Sequence, residues 1–385
     1  MSKLEQLIKD LCPNGVPFCK IINIAEVGTG SSDRKDATEN GQYPFYVRSA
    51  EVFRKDNYEY DETAIIIPGE GGIGDIFHYA QGKYALHQRA YRIHFITSDI
   101  NPKFAYYCFI AHFKTFILKK AVSATVTSIR KPMIENFTIP VPPMAVQNEI
   151  VRILDAFTEL TAELTAELTA RKQQYTHYLN ELLNSQYPTK TLGELGTFVR
   201  GNGLQKKDFV ESGVGCIHYG QIYTYYGTCA NKTKSFVSPE LAQKLKKAQK
   251  GDLVIATTSE NVEDVGKAVV WLGKDDICIG GHSFVFHHNQ NPKYMAYLFQ
   301  SDLFRKQKIK KTIGVKVIEL SDKAMSSFSF PIPSLEEQEH IVKILDRFEA
   351  LCNDISVGLP AEIKARQQQY EYYRNKLLTF EEVKA

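Results

Sequence analysis

Apolar residues in the middle of the chain recur at Ile150, Ile153, Phe157, Leu160, Leu164 and Leu168, then at Tyr175, Tyr178 and Leu182. Steps of three and four place these side chains on one face of an α-helix, with a seam suited to a partner helix. The pattern predicts a helix over 145–184, about 40 residues and about 60 Å long at 1.5 Å per residue. A related stretch spans 335–380, where Val357, Gly358, Leu359 and Pro360 should bend or break it. Two such helices can bury both stripes by packing together as antiparallel partners.

Elsewhere the period shortens. The runs TAIIIP (63–68), YRIHFI (91–96), GDLVIA (251–256), KAVVWL (267–272) and HSFVFH (282–287) read as strands broken by Gly, Asn and Asp. A helix is expected at each Asn-Pro-Lys, at Asn101 and Asn291. Asn caps the free amides there, Pro suits the first helical position, and apolar residues come next at helical spacing. Each such region is a mixed α+β unit, closed by the prolines of PVPP or PIPS, which stop strand pairing and set the turn into the long helix.

The chain is written twice. IPVPPMAVQNEIVRILDAF (139–157) returns as FPIPSLEEQEHIVKILDRF (330–348), and ARKQQYTHYLNELL (170–183) as ARQQQYEYYRNKLL (365–378). NPKFAYYCFI (101–110) pairs with NPKYMAYLFQ (291–300), and YVRSAEV (46–52) aligns with CIHYGQI (216–222). The expected organisation is a globular domain over 1–144, a long helix over 145–187, a second globular domain over 188–334 and a second long helix over 335–385.

With 385 residues and 43% apolar content, two real cores are within reach. The net charge of +3 leaves nucleic-acid binding to be judged from where charge is placed. Seven cysteines with no CxxC pair fit neither a disulfide framework nor a zinc site, and read as reduced, mostly buried thiols. No apolar run approaches the roughly 18 residues of a membrane span, and the amphipathic start is no signal peptide, so a cytoplasmic protein is expected.

The duplicated unit, the proline-rich exit followed by Gln147 or Gln338 and an IVxILD helix, the ARxQQY segments, and TELTAELTAELTA (158–170) resemble the specificity subunits (HsdS) of type I restriction-modification complexes, the TAEL-repeat subfamily in particular. The resemblance covers essentially the full length. It implies two target-recognition domains, each reading half of a split DNA target, and helices that hold them apart. It further implies docking of two methyltransferase subunits, joined by one or two motor-nuclease restriction subunits. S-adenosylmethionine, ATP and Mg are then expected on those partners, with no cofactor, metal or catalytic centre in this chain. Here the repeat is only about two and a half units long, so spacer length does not carry over from any relative.

Readout of bases needs directed donors and acceptors on loops, while Lys, Arg and backbone amides fix phosphates. In the first unit the candidates are Ser31, Ser32, Arg34, Lys35, Arg48, His87, Gln88, Arg89, Thr125, Thr127, Arg130 and Lys131. In the second they are Asn202, Gln205, Lys206, Lys207, His218, Tyr219, Gln221, Tyr223, Tyr225, Tyr226, Thr257, Thr258, Ser259, Glu260, Asn261, His282 and Lys316. The sequence alignment matches Arg48 with His218 and Arg89 with His282, so two copies on one scaffold should read different half-sites. For any single one of these residues, a solvated or structural role is the ordinary alternative.

Other motifs point to enzymes only weakly. GEGGIG (69–74) has the GxGxxG spacing of a dinucleotide loop, yet the next stretch, DIFHYAQGKYALHQR (75–89), reads as turn and strand where an anion-binding helix is required. NPKF and NPKY resemble the tetrapeptide of amino-methyltransferases, but Lys stands where a second proline belongs, and helix capping explains both copies. The competing readings are a self-contained methyltransferase and a coiled-coil adaptor without DNA specificity.

Overall fold

A capping box opens the chain: the Ser2 hydroxyl accepts from the Glu5 amide, and the Glu5 carboxylate accepts from the Ser2 amide, starting α1 (Lys3–Leu11). The computed structural model describes residues 2–72, 74–120, 128–184, 186–314, 316–354 and 357–383. They form two compact units, Met1–Thr165 with Glu362–Ala385, and Ala166–Ala361.

In unit 1, α1 is followed by β1 (Phe18–Lys20), β2 (Ala25–Thr29), β3 (Tyr43–Tyr46), β4 (Val52–Lys55), β5 (Tyr60–Pro68), β6 (His78–Leu86) and β7 (Ala90–Phe95). Six of these make a sheet in the order β2-β7-β5-β6-β3-β4, antiparallel throughout except between β3 and β6. The apolar run in β5 is buried on both faces. Ile65 and Ile67 pack with Phe104, Phe109 and Phe113, whereas Ala64 and Ile66 pack with Ala80, Tyr84 and Leu86. The chain continues through α2 (Pro102–Cys108), a π-helical turn at Phe109–Phe113, α3 (Lys114–Lys120), α4 (Lys131–Glu135) and β8 (Thr138–Pro140), which pairs with β1, and then enters α5 (Met144–Leu183).

Unit 2 repeats this plan with β9 (Thr189–Thr191), α6 (Leu192–Leu195), β10 (Gly196–Arg200), β11 (Val214–Ile217), α7 (Tyr219–Thr224), β12 (Cys229–Ala230), β13 (Ser235–Val237) and α8 (Pro239–Ala242). Next come β14 (Lys246–Ala248), β15 (Leu253–Ala256), β16 (Thr258–Ser259), β17 (Ala268–Trp271), β18 (Ile277–Ile279) and β19 (Ser283–His288). After α9 (Pro292–Leu298), α10 (Asp302–Ile309), β20 (Ile318–Glu319), α11 (Asp322–Ser326) and β21 (Ser329–Pro331), the unit ends with α12 (Leu335–Asn353). The sheets are β10-β19-β15-β17-β12 and β13-β11-β18-β14, with the short pairs β16-β20 and β21-β9. Where β6 runs through a left-handed Gly82 (φ 75°) as one strand, the second copy has β17 and β18, separated by a turn in which the Trp271 indole donates to the Asp275 carbonyl at 2.8 Å.

The helical predictions hold. The Asn101 and Asn291 side chains accept from the amides two and three residues on, and start α2 and α9. One uninterrupted helix, α5, covers the predicted stretch, and the second stretch is broken into α12 and α13 (Leu359–Leu377). The long helices are not separate domains, however. Each is shared out between the units, because each half buries its apolar stripe on a globular part. In unit 1, Val146, Ile150 and Leu154 enter the core with Leu378, and Phe157 stacks on Tyr373 at 5.6 Å. In unit 2, Leu179 and Leu183 share a core with Ile341, Val342 and Leu345, and Tyr178 stacks on Phe348 at 5.3 Å.

All seven cysteines are free thiols and five are buried. No helix among the described residues is long and apolar enough to cross a membrane.

Candidate nucleic-acid interface

Five polar segments of unit 1 are stitched together by backbone hydrogen bonds. The Ser32 amide donates to Leu86 O (3.2 Å), Gln88 to Ser32 O (2.9 Å), His87 to Tyr46 O (2.9 Å), Gly69 to Arg89 O (2.9 Å) and Ile129 to Gly69 O (2.7 Å). The candidate residues near 31–35, 48, 87–89 and 130–131 therefore meet, and the GEGGIG loop lies among them. Gly30 permits the first of these contacts, since a Cβ there would lie 1.8 Å from Leu86 O. Gly30→Ala is expected to cost about 1–3 kcal/mol through that overlap. Faster amide exchange at Ser32 and Gln88 would report it, and unchanged exchange would refute it.

Two of these bonds recur in unit 2, where the Thr257 amide donates to His282 O (2.9 Å) and Leu320 to Thr257 O (3.0 Å); there the Gly201 amide also donates to Ser283 O (2.9 Å). Gly69 thus corresponds to Thr257, and Arg89 to His282, as the alignment predicted. The strand register corrects the other match. Tyr46 pairs with Leu86 and Ile217 with Ile279, so Arg48 corresponds to Tyr219, not to His218. The sequence alignment had slipped by one residue, because short strands there share no identities to hold the register.

Exposure divides the candidates. Ser31, Arg34, Lys35, Arg48, Gln88, Arg89, Arg130 and Lys131 are exposed in unit 1, as are Gln205, Lys206, Lys207, Tyr225, Glu260, His282 and Lys316 in unit 2. Tyr219, Gln221, Tyr223, Tyr226 and Ser259 are half-buried. Thr125 and Thr127 lie outside the described residues.

Several candidates hold the loops in shape instead of facing solvent. Ser32 is buried between Glu59 and Lys55, and His87 is buried with Nδ1 accepting from the Arg89 amide at 2.9 Å. Buried His218 accepts from the Gly220 amide as the cap of α7, a helix formed where the sequence reading expected a loop. The Tyr223 hydroxyl donates to the carbonyl of buried Thr258, and Tyr226 Oη accepts from the Lys234 amide (2.7 Å). Thr257 is buried. Asn202, although exposed, uses both ends of its amide on Lys244 and Lys246, and Asn261 uses both on Asp264. These bonds tie the side chains to the shape of their own loops.

The electrostatics single out a residue that sequence reasoning missed. Glu70, inside GEGGIG, accepts from Arg48 (2.8 Å) and from Arg89 (3.1 Å), and the two guanidinium groups hold its carboxyl below the usual carboxylate range. The glycines around it adopt left-handed conformations (Gly71 φ 72°, Gly72 φ 58°, Gly74 φ 69°), and the loop runs into β6, not into a helix. No phosphate-binding helix end is present there.

In unit 2, the matching loop is fastened by Lys308, which is buried and donates to Glu263 O (3.0 Å) and Val265 O (2.9 Å). Burial brings its pKa down to about 8. Below that pH, folded and unfolded chains both carry the proton. Between about 8 and the ordinary value of about 10.5, the unfolded chain binds more protons, so this group makes stability rise with pH. Denaturant midpoints compared between the parent and Lys308→Met should diverge in slope across that window. Identical slopes would contradict the assignment.

The sequence matches the family model "Type I restriction modification DNA specificity domain" twice, over 13–171 and 184–365, each match taking in one of the stitched units. The chain belongs to this family. It is 34% identical to the specificity subunit of an Escherichia coli type I restriction enzyme over 270 residues, 65% of this chain and 66% of that one, just under two thirds of its length. Identity to a putative specificity subunit of Haemophilus influenzae is 29% over 398 aligned positions, spanning 98% of both chains. The fold is that of the Mycoplasma genitalium type I S subunit, with TM-score 0.56 and 18% identity over 94% of this chain and 96% of that one.

For a specificity subunit, the Gln that comes after each proline exit gains a physical role. Gln147 is fully buried, accepts from the Asn101 amide (2.8 Å) and donates to Asp99 O and Pro142 O (both 2.7 Å). Gln338, also fully buried, accepts from the Asn291 amide (2.9 Å) and donates to the Gln290 side-chain oxygen (2.9 Å) and to Pro333 O (3.0 Å). Each locks the start of a long helix to the Asn-Pro-Lys cap of its recognition unit. Among the described residues, no group of three or more His, Cys, Asp or Glu is arranged to hold a metal.

Proposed function

We propose that this chain reads a split DNA target, one half through each unit, and assembles the other subunits of a type I restriction-modification complex without carrying catalysis itself. One observation carries the reading: matching loops are joined on one backbone frame in both units, by the pairs Gly69–Arg89 and Thr257–His282 and by the parallel strands before them, with different side chains at matching positions. A frame that is kept while its polar tips change suits two readers of two sequences. The modest net charge of +3 fits a subunit whose phosphate contacts are supplemented by partners.

The partners proposed are double-stranded DNA, two methyltransferase subunits and one or two motor-nuclease subunits. S-adenosylmethionine, ATP and Mg belong to those partners, and the assembled complex would be an adenine-N6 methyltransferase and ATP-dependent endonuclease. The exposed face of α5 is the expected docking rail for the methyltransferase subunits.

Selection of a random duplex library by the assembled complex tests this reading. A bipartite motif with a fixed gap is the expected product. Enrichment of no split motif would leave only the adaptor role, and binding of S-adenosylmethionine by the isolated chain would instead favour a self-contained methyltransferase.

A further inference from the structure

Three matching positions meet in both units. In unit 1 they are Arg48, Glu70 and Arg89; both guanidinium groups donate to the same oxygen, Oε2 of Glu70, at 2.8 and 3.1 Å. In unit 2 the register puts Tyr219, Thr258 and His282 at these places. Thr258 Oγ1 lies 3.1 Å from His282 Nδ1, and the His282 ring centroid lies 5.0 Å from that of Tyr219. All three residues differ between the copies, yet in both units they form one connected group, and the contact from Glu70 to Arg89 recurs as that from Thr258 to His282. It recurs because the backbone hydrogen bonds that bring Gly69 to Arg89 also bring Thr257 to His282.

The chemistry of the two trios is unlike. Arginine offers only donors, in a rigid fork, and guanine alone presents two acceptors, N7 and O6, on its major-groove edge. One carboxylate oxygen shared by two arginines holds the forks side by side and leaves their remaining N–H groups free. It also restrains two long side chains before any ligand arrives, which lowers the entropy lost on binding. Exposed ion pairs of this kind exchange readily for another acceptor. Tyr219 and His282 each supply both a donor and an acceptor and carry no permanent positive charge, so the second unit has no such bias towards guanine.

We infer that the Arg48 and Arg89 positions, and Tyr219 and His282 at the matching places of unit 2, form the base-reading centre of each unit, with Glu70 and buried Thr258 behind them, and that Arg48 and Arg89, aimed by Glu70, make the half-site read by unit 1 depend on guanine. The inference rests on the DNA-recognition reading above and deepens it. Glu70 acts as a positioning residue: its carboxylate sets where the two forks point.

The test is methylation mapping in cells that carry the complete complex, with Arg48→Ala, Arg89→Ala, Glu70→Gln and His282→Ala each in place of the parent chain. Each Arg→Ala variant should reduce the preference for a G·C pair at one position of one half-site about tenfold or more, with the other half-site unchanged. Glu70→Gln should relax the same positions to a smaller degree. His282→Ala should alter only the opposite half-site. Where an alanine variant abolishes methylation, Arg→Lys decides, because it keeps the charge and loses the fork. A relaxed guanine preference supports the inference, and a parental motif overturns it. Unchanged base preferences, or changes in both half-sites at once, also overturn it. A parent complex that methylates no split motif would instead sink the recognition reading itself.

Discussion

Deletion of residues 165–168 is expected to change the gap between the two methylated half-sites by one base pair and to leave both half-site sequences as they were. Those residues are one TAEL unit of α5, which is helical without interruption from Met144 to Leu183. The unit boundary falls within that repeat, so a deletion there changes the connection and spares both loop sets. The hydroxyls of Thr161 and Thr165 donate to carbonyls four residues back, Phe157 O (2.8 Å) and Thr161 O (2.7 Å), so these polar groups are satisfied within the helix itself. Four residues of α-helix amount to about 6 Å of rise and about 400° of turn, a net rotation near 40°. One base-pair step rotates roughly 35° over about 3.4 Å. That rotational match is the reason for expecting a change of one base pair. Methylome sequencing of the deletion strain reads the outcome directly. Altered half-sites with the parental gap would refute the idea.

Gln147→Leu and Gln338→Leu should each destabilise the unit concerned by about 3 kcal/mol or more. Three hydrogen bonds disappear in each case; the carbonyl of Pro142 or Pro333 is left buried and the other partners half-buried or at the surface, and a buried unmade bond costs about 1–3 kcal/mol. Leucine fits the volume but satisfies none of them. Native-state hydrogen exchange should show the amides at the start of α2 or α9 opening about 100-fold more often, with the other unit unaffected by the single change. A loss below about 1 kcal/mol would mean that water replaces the glutamine, and the locking role would fail.

The sequence was most legible where a local rule acts alone. The seam of α5 was plain because helical spacing over about 40 residues has no rival explanation, and the break between α12 and α13 came from Gly358 and Pro360. The caps at Asn101 and Asn291 were equally clear, since the side chain that makes each bond sits beside the amides it serves. By contrast, α7 was hidden. Its stretch from Tyr219 to Thr224 lacks a helical stripe and is held by a His218 cap and by the contact from Gln221 to Ser235 (2.7 Å).

The candidate interface shows where that legibility stops. Sequence alone determined the duplication, the α+β class and the two long helices, because these depend on composition and period along a continuous stretch of chain. Only the tertiary structure decided which polar residues are spent on the fold, as Ser32, His87, His218 and Asn202 are, and which are left exposed. It alone placed Glu70 against Arg48 and Arg89, residues 22 and 19 positions away, and assigned Tyr219 to the place of Arg48. The physical reason is that hydrogen bonding and strand register depend on distances through space, and segments far apart in the chain carry no local sign of the partner they will meet.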